Sequence, residues 1–183
     1  GIFFNPPAEA NFLGHQFSEI YKDNVYLPFL NGKKDLTIVD IGANIGLTTY
    51  YFSRFAKIIH SIEPSTEHFE VLTQMINFNQ LTNVKPHKLA IYIKEGIYPL
   101  FHNDNKTMYS LHQAVNQGKD EPDKVRAVTL DKFFEDEKIT HCDFLKIDVE
   151  GTEYEILGGS GFKKIASLVD MVFLETHTWA GRN

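Results

Sequence analysis

Val39-Asp40-Ile41-Gly42-Ala43-Asn44-Ile45-Gly46 sets an acid at the tip of an apolar strand and a glycine turn directly behind it. Upstream, Leu36-Thr37-Ile38-Val39 is β-branched and apolar enough for a buried parallel strand, and the stretch from Ile45 to Phe55 reads as a helix. A glycine turn at that place in an open α/β sheet is where a nucleotide-like ligand binds. Glycine lets the backbone come close, and the start of the following helix offers N–H groups. Dinucleotide binders seat a pyrophosphate on G-x-G-x-x-G, whereas this loop reads Gly42-x-x-x-Gly46 with Asp40 in front. A carboxylate there repels a pyrophosphate and suits a cation. S-adenosylmethionine carries a sulfonium and an ammonium and no phosphate, so the acid-first loop favours it. An ordinary strand-to-helix turn is the plainer alternative.

A second acid points the same way. The strand Ile58-Ile59-His60-Ser61-Ile62 ends at Glu63-Pro64, about twenty residues past the turn, the spacing at which a doubly wound fold sets a carboxylate on ribose hydroxyls. Asp40 then serves the methionine end and Glu63 the ribose.

At 183 residues, with 43% hydrophobic and 23% charged residues, the chain can bury a core as a single domain over residues 1–183 and needs no membrane span. The formal charge of −6 does not suit a protein that lives on nucleic acid. Cys142 is the one cysteine, so no intramolecular disulfide forms, and its place beside an apolar strand reads as a buried thiol. The cytoplasm is the default compartment.

Strands and helices alternate as a mainly parallel, doubly wound α/β sheet requires. Residues 1–35, with a helical candidate from Glu9 to Tyr21, precede the sheet and read as a cap over it or over the ligand mouth. The core runs over residues 36–177. A helix is expected from Thr66 to Asn79. A third strand, Val84 to Ile91, carries Pro86 and belongs at an edge, with backbone near Ala90 left to meet the adenine. Residues 92–124 read as an insertion of short strands and loops, followed by a strand from Val125 to Leu130 and a helix capped by Asp131. The predicted strand order is third, second, first, fourth, fifth.

Asp143 to Gly151 carries the remaining chemistry. Along this fourth strand Leu145, Ile147 and Val149 share one face, and Lys146, Asp148 and Glu150 the other, about 7 Å per step. Charges at the tip of a central strand need mutual pairing or a ligand. Lys146 and Asp148 as a plain ion pair satisfy that requirement; Asp148 and Glu150 as groups that orient or deprotonate a substrate hydroxyl satisfy it too. A last strand, Val169 to Thr176, brings Glu175 and His177 to the same edge, where His177 is a general-base candidate or a metal ligand together with Asp148. The other histidines, His60 and His87 among them, show no ligand-like spacing.

Val39 to Gly46, Ile62-Glu63-Pro64, Thr129-Leu130-Asp131 and Phe144 to Glu153, in this order, resemble the FkbM-type methyltransferases over roughly residues 36–177. The resemblance implies a class I, Rossmann-like, S-adenosylmethionine-dependent methyltransferase acting on sugar or other small-molecule hydroxyls. It implies cofactor roles for Asp40, Gly42 and Glu63, with Ala43, Asn44, Gly46 and Ala90 completing the expected set. It does not name the base, for which Asp148, Glu150 and His177 are the candidates, and any divalent metal stays unknown. Asn44 stands where the broader class often has a third glycine, as is common in FkbM-like sequences.

A class I sheet has seven strands, and Thr178 to Asn183 are too few for the final helix and hairpin, so the chain reads as part of a longer protein. Two other functions stay open. One is a dinucleotide-dependent oxidoreductase, and the other a non-catalytic domain that keeps the fold for binding or assembly.

Overall fold

The computed structural model describes residues 13–103, 109–111 and 122–177. In chain order the elements are α1 (Leu13–Phe17), which continues as a π-helical turn over Ser18–Lys22, α2 (Leu27–Leu30), β1 (Leu36–Ile41), α3 (Leu47–Phe52), β2 (Ala56–Ile62), α4 (Thr66–Phe78), β3 (Val84–His87) and β4 (Ala90–Ile91). There follow β5 (Gly96–His102), β6 (Tyr109–Ser110), β7 (Asp123–Val128), α5 (Leu130–Asp136), β8 (Phe144–Ile147), α6 (Glu153–Gly158), α7 (Ser160–Ile165) and β9 (Val172–Leu174).

The main sheet runs β3-β2-β1-β8-β9 with every pairing parallel, the order the sequence predicts. Alternation along β1 divides its side chains between two layers. Val39 and Ile41, with Leu145 and Ile147 of β8, pack under α5, α6 and α7, while Leu36, Ile38 and Phe144 pack under α3 and the amino-terminal segment. That is the doubly wound arrangement expected from the sequence, and it leaves the carboxyl ends of β1, β2 and β8 as the open edge. Tyr26, 3% exposed, anchors the amino-terminal segment through edge contacts with Phe52 and Phe173. The expected helix from Glu9 begins outside the described residues, and its visible part is Leu13 to Lys22.

Helix α4 starts where Ser65 Oγ accepts the His68 N–H at 3.3 Å, a cap worth about 1 kcal/mol. Its buried Leu72 and Met75 lie under the glycine loop and leave no room for a side chain at Gly46.

Three expectations are corrected. The stretch from Val84 to Ile91 is two strands: β3 is the predicted edge, while β4 leaves the main sheet to join a second one of order β4-β7-β5-β6. Pro86 lacks the N–H a ladder needs, which confines β3 to the edge, and the chain departs beyond it. Helix α5 starts at Leu130 with Thr129 in the N-cap position, two residues earlier than predicted and without a side-chain cap bond, and Asp131 instead pairs with Lys164 of α7. Strand β9 covers only Val172 to Leu174, so Glu175 and His177 stand beyond it on loop backbone.

Candidate functional site

The site starts from a buried ion cluster under the glycine loop. Asp40 is fully buried in β1 and accepts from the hydroxyls of Thr48 (2.8 Å) and Thr49 (3.1 Å). Lys146, on the neighbouring strand, sets its Nζ 3.3 Å from Asp40 and 3.1 Å from Asp148 and donates to the Gly42 carbonyl at 3.1 Å. Burial opposes the ammonium charge, but Asp148 and Asp40 outweigh it and hold the pKa above its ordinary value. Removing one partner of such a pair costs about 3–5 kcal/mol, so this cluster fixes the loop on the sheet.

Every N–H of the glycine loop is bonded inside the protein. Gly42 and Ala43 both donate to the Ile62 carbonyl at 3.0 Å, Asn44 donates to Glu63 at 2.9 Å, Ile45 to the Asn44 side chain at 2.8 Å, and Gly46 to the Ala43 carbonyl at 2.9 Å. The expectation that these amides face a ligand is therefore corrected. What the loop offers is close approach: a Cβ at Gly42 would lie 1.7 Å from the Asp148 carbonyl oxygen, at a φ of +78°.

Two clefts open on either side of that contact. The first, about 630 Å³, has Glu63, Ala90 and Ile91 along one side and Leu100, Tyr109 and Leu111 of the insertion along the other. The insertion is thus a wall of the site, tied to it where Ser110 Oγ donates to the Glu150 carbonyl at 2.7 Å. The second, about 930 Å³, lies between the loop, Thr48 and Lys146 and the amino-terminal segment, which contributes Gln16, Glu19 and Tyr26. Gly42, Asn44 and Asp148 border both clefts. Glu63 is 4% exposed, and its two oxygens accept the N–H groups of Asn44 and Ser65. Burial pushes its carboxyl up to about 7 against those bonds.

Beyond β8, Asp148, Glu150, Glu153 and Glu175 surround His177. Glu153, fully buried, accepts from Gly151 N–H at 2.9 Å and Val149 N–H at 3.3 Å and sits 2.9 Å from His177 Nδ1. Nε2 on the other side of the ring lies 3.4 Å from Glu150, 3.8 Å from Glu175 and 3.9 Å from Asp148. The bond to Glu153, helped by Glu150 and Asp148, raises the imidazole pKa to about 9, so His177 is a cation at neutral pH. Burial raises Glu150 to about 7 despite the His177 charge. Donor atoms of Asp148, Glu150 and His177 lie within 4.8 Å of one another, close enough for one divalent ion, which would have to displace the His177 proton.

Residues 40–183 match the family model described as the methyltransferase FkbM domain. The chain belongs to the FkbM methyltransferase family. Methyltransferase sdnD of Sordaria araneosa is 30% identical over 183 residues, covering 82% of this chain and 69% of that protein. A solved FkbM methyltransferase from Methylobacillus flagellatus KT shares the fold, with a TM-score of 0.53 and 17% identity over 76% of this chain. The present chain spans 32% of that one.

Within this FkbM domain the residues expected from sequence divide by position. Gly42, Asn44 and Asp148 border both clefts, Glu63, Ala90 and Glu150 the first, Ala43 the second. Asp40 and Gly46 border neither, because Asp40 faces Thr48 and Thr49 under the loop and Gly46 faces Leu72 and Met75. His177 borders neither cleft, and the pKa raised to about 9 favours its protonated form at neutral pH, in which the ring has no lone pair to take a proton. Glu153 escaped sequence reading, since an acid in a helix's first turn is ordinary there. No helix among the described residues is long and apolar enough to cross a membrane. Cys142 is buried, and burial pushes its thiol up to about 12, as expected of an inert core cysteine.

Proposed function

We propose that the chain transfers the methyl group of S-adenosylmethionine to a hydroxyl of a sugar or another small molecule. One observation carries this reading: the loop amides are spent internally while carboxylates face the clefts. Such a loop has nothing to offer a pyrophosphate, which speaks against a dinucleotide, and it suits a cationic nucleoside. The residues fit that group. Glu63 would accept from ribose hydroxyls with Ala90 and Ile91 beside the adenine, and Gly42, Ala43, Asn44 and Asp148 would hold the methionine end. Asp40 and Gly46 act from beneath by fixing the loop. When bound, S-adenosylmethionine supplies an electrophilic methyl on its sulfonium.

Methylating an oxygen requires that oxygen to lose its proton, and a base serves best with a pKa near the working pH. Glu150, at about 7, has that property, while Asp148, against the Lys146 ammonium, is the better orienting group. His177 is then their counter-ion and a positioning residue.

Calorimetric titration with S-adenosylmethionine and with its demethylated product tests the cofactor assignment. Wild type should bind both, and Glu63→Gln should bind each about 1–3 kcal/mol more weakly, the worth of a charge-assisted hydrogen bond. Unchanged affinity in a folded variant would remove Glu63 from the cofactor site, and a dinucleotide outcompeting both ligands would refute the reading.

The ionisations of Glu150 and His177 also set a pH profile. Glu150 must be ionised to accept a proton, so kcat/KM with a hydroxyl acceptor should rise through about pH 7. His177 must stay charged to hold the carboxylates, so it should fall again through about pH 9. The second limb has a stability counterpart. His177 is raised above its unfolded value of about 6.5, so its contribution is complete below that and disappears as pH rises through about 9. In His177→Asn the alkaline limb should vanish; a limb unchanged in that variant assigns it to another group.

A further inference from the structure

A second group of ligand-type side chains lies on the sheet away from both clefts. His60 comes from β2, His87 from the end of β3 and Glu137 from the carboxyl end of α5. We propose that these three residues form a binding site for one late first-row divalent metal ion, zinc being the representative.

The geometry suits such an ion. His60 Nδ1 and His87 Nε2 are 3.1 Å apart, and Glu137 Oε2 is 3.7 Å from His60 Nδ1. One donor atom from each residue can be chosen so that all three lie within 4.8 Å of one another. Two nitrogens on one tetrahedral zinc, each at about 2.0–2.1 Å, stand about 3.3 Å from each other. The donor types, two imidazoles and one carboxylate, are those zinc takes with a water completing the shell. The rings are held in place rather than mobile: they lie nearly parallel to each other, at 14°, and edge-on to Phe133 at 5.9 and 5.0 Å.

Burial lowers the pKa of both imidazoles and so favours the neutral form, the one that binds metal. Access is from the Glu137 side, whose side chain is 26% exposed while that of His60 is 3%. Lys85, with Nζ 3.9 Å from Glu137, is the competing cation, and at 55% exposure it can turn into solvent. Without metal, the two imidazoles share one hydrogen bond; the ion takes the place of that proton, which moves to the other nitrogen of its own ring and leaves both imidazoles neutral. His87 also accepts the Glu63 N–H on its carbonyl at 3.0 Å, so an ion here would fasten the two strands that carry the proposed ribose acid.

Zinc titration of the chelator-treated chain by calorimetry, with the cobalt absorption spectrum as a second readout, tests the site without any activity assay. The expected result is one equivalent bound, weakened tenfold or more in both His87→Gln and Glu137→Gln. These two positions are partly exposed, so the variants avoid the core disruption that replacing His60 would bring. His141→Ala and His177→Gln, which disturb the two other donor clusters among the described residues, should leave the affinity unchanged. Binding that is unaffected by His87→Gln and Glu137→Gln, that is lost with His177→Gln or His141→Ala, or that never reaches one equivalent would overturn the proposal. The cofactor titration with Glu63→Gln fails or succeeds independently of this result.

Discussion

Glu150→Gln should retain S-adenosylmethionine affinity and lose turnover by about 10²-fold or more, the scale of a lost general base. The amide keeps the shape of the side chain beside His177, and only the ability to take a proton disappears. Asp148→Asn is a less clean experiment, because Asp148 is one of two carboxylates holding the buried Lys146 ammonium. That variant should lose stability along with turnover, since an uncompensated buried charge costs several kcal/mol. The two are separated by measuring urea denaturation and single-turnover methyl transfer on the same preparations. Wild-type turnover in Glu150→Gln, with a cognate acceptor, moves the base elsewhere in the cluster.

Gly42→Ala should destabilise the fold by about 3 kcal/mol or more and abolish measurable cofactor binding. Two causes add. The left-handed φ costs any L residue about 1–3 kcal/mol, and the new Cβ would stand 1.7 Å from the carbonyl oxygen of Asp148, the residue just past β8, whose N–H is anchored on the Ile41 carbonyl at 3.1 Å. Gly32→Ala isolates the first cause. Gly32 has nearly the same φ, +76° against +78°, and nothing within 4 Å of its Cβ position. It should therefore lose only the conformational part and bind cofactor as wild type does. Equal losses in the two variants would mean that close approach of the loop to the strand tip contributes nothing.

The strand order and the open edge were legible in the sequence because they follow from local pattern. Val39 and Ile41 alternate with Ile38 and Asp40 on a strand covered on both faces, and the glycine turn marks the edge where chain direction changes. The short β9 and the split at β4 were not legible, since Val169 to Thr176 and Val84 to Ile91 are each apolar enough for one long strand. Where a strand stops is decided by which neighbour remains to pair with it.

The identity and position of the ionisable groups came from sequence: the acids Asp40, Glu63, Asp148, Glu150 and Glu175 and the imidazole of His177 all stand at the predicted edge. The roles proposed for them rest on tertiary structure, because a role depends on charge state, and charge state is set by neighbours distant in the chain. Glu153 bonds His177 across 24 residues and raises its pKa, and Lys146 ties Asp148 to Asp40 across strands. The same holds for His60, His87 and Glu137, whose spacing along the chain says nothing. Sequence determines which side chains each strand delivers to an edge or a face; only the packing of β2, β3 and α5 brings those three within reach of one another, because the contact lies between elements and not along any of them.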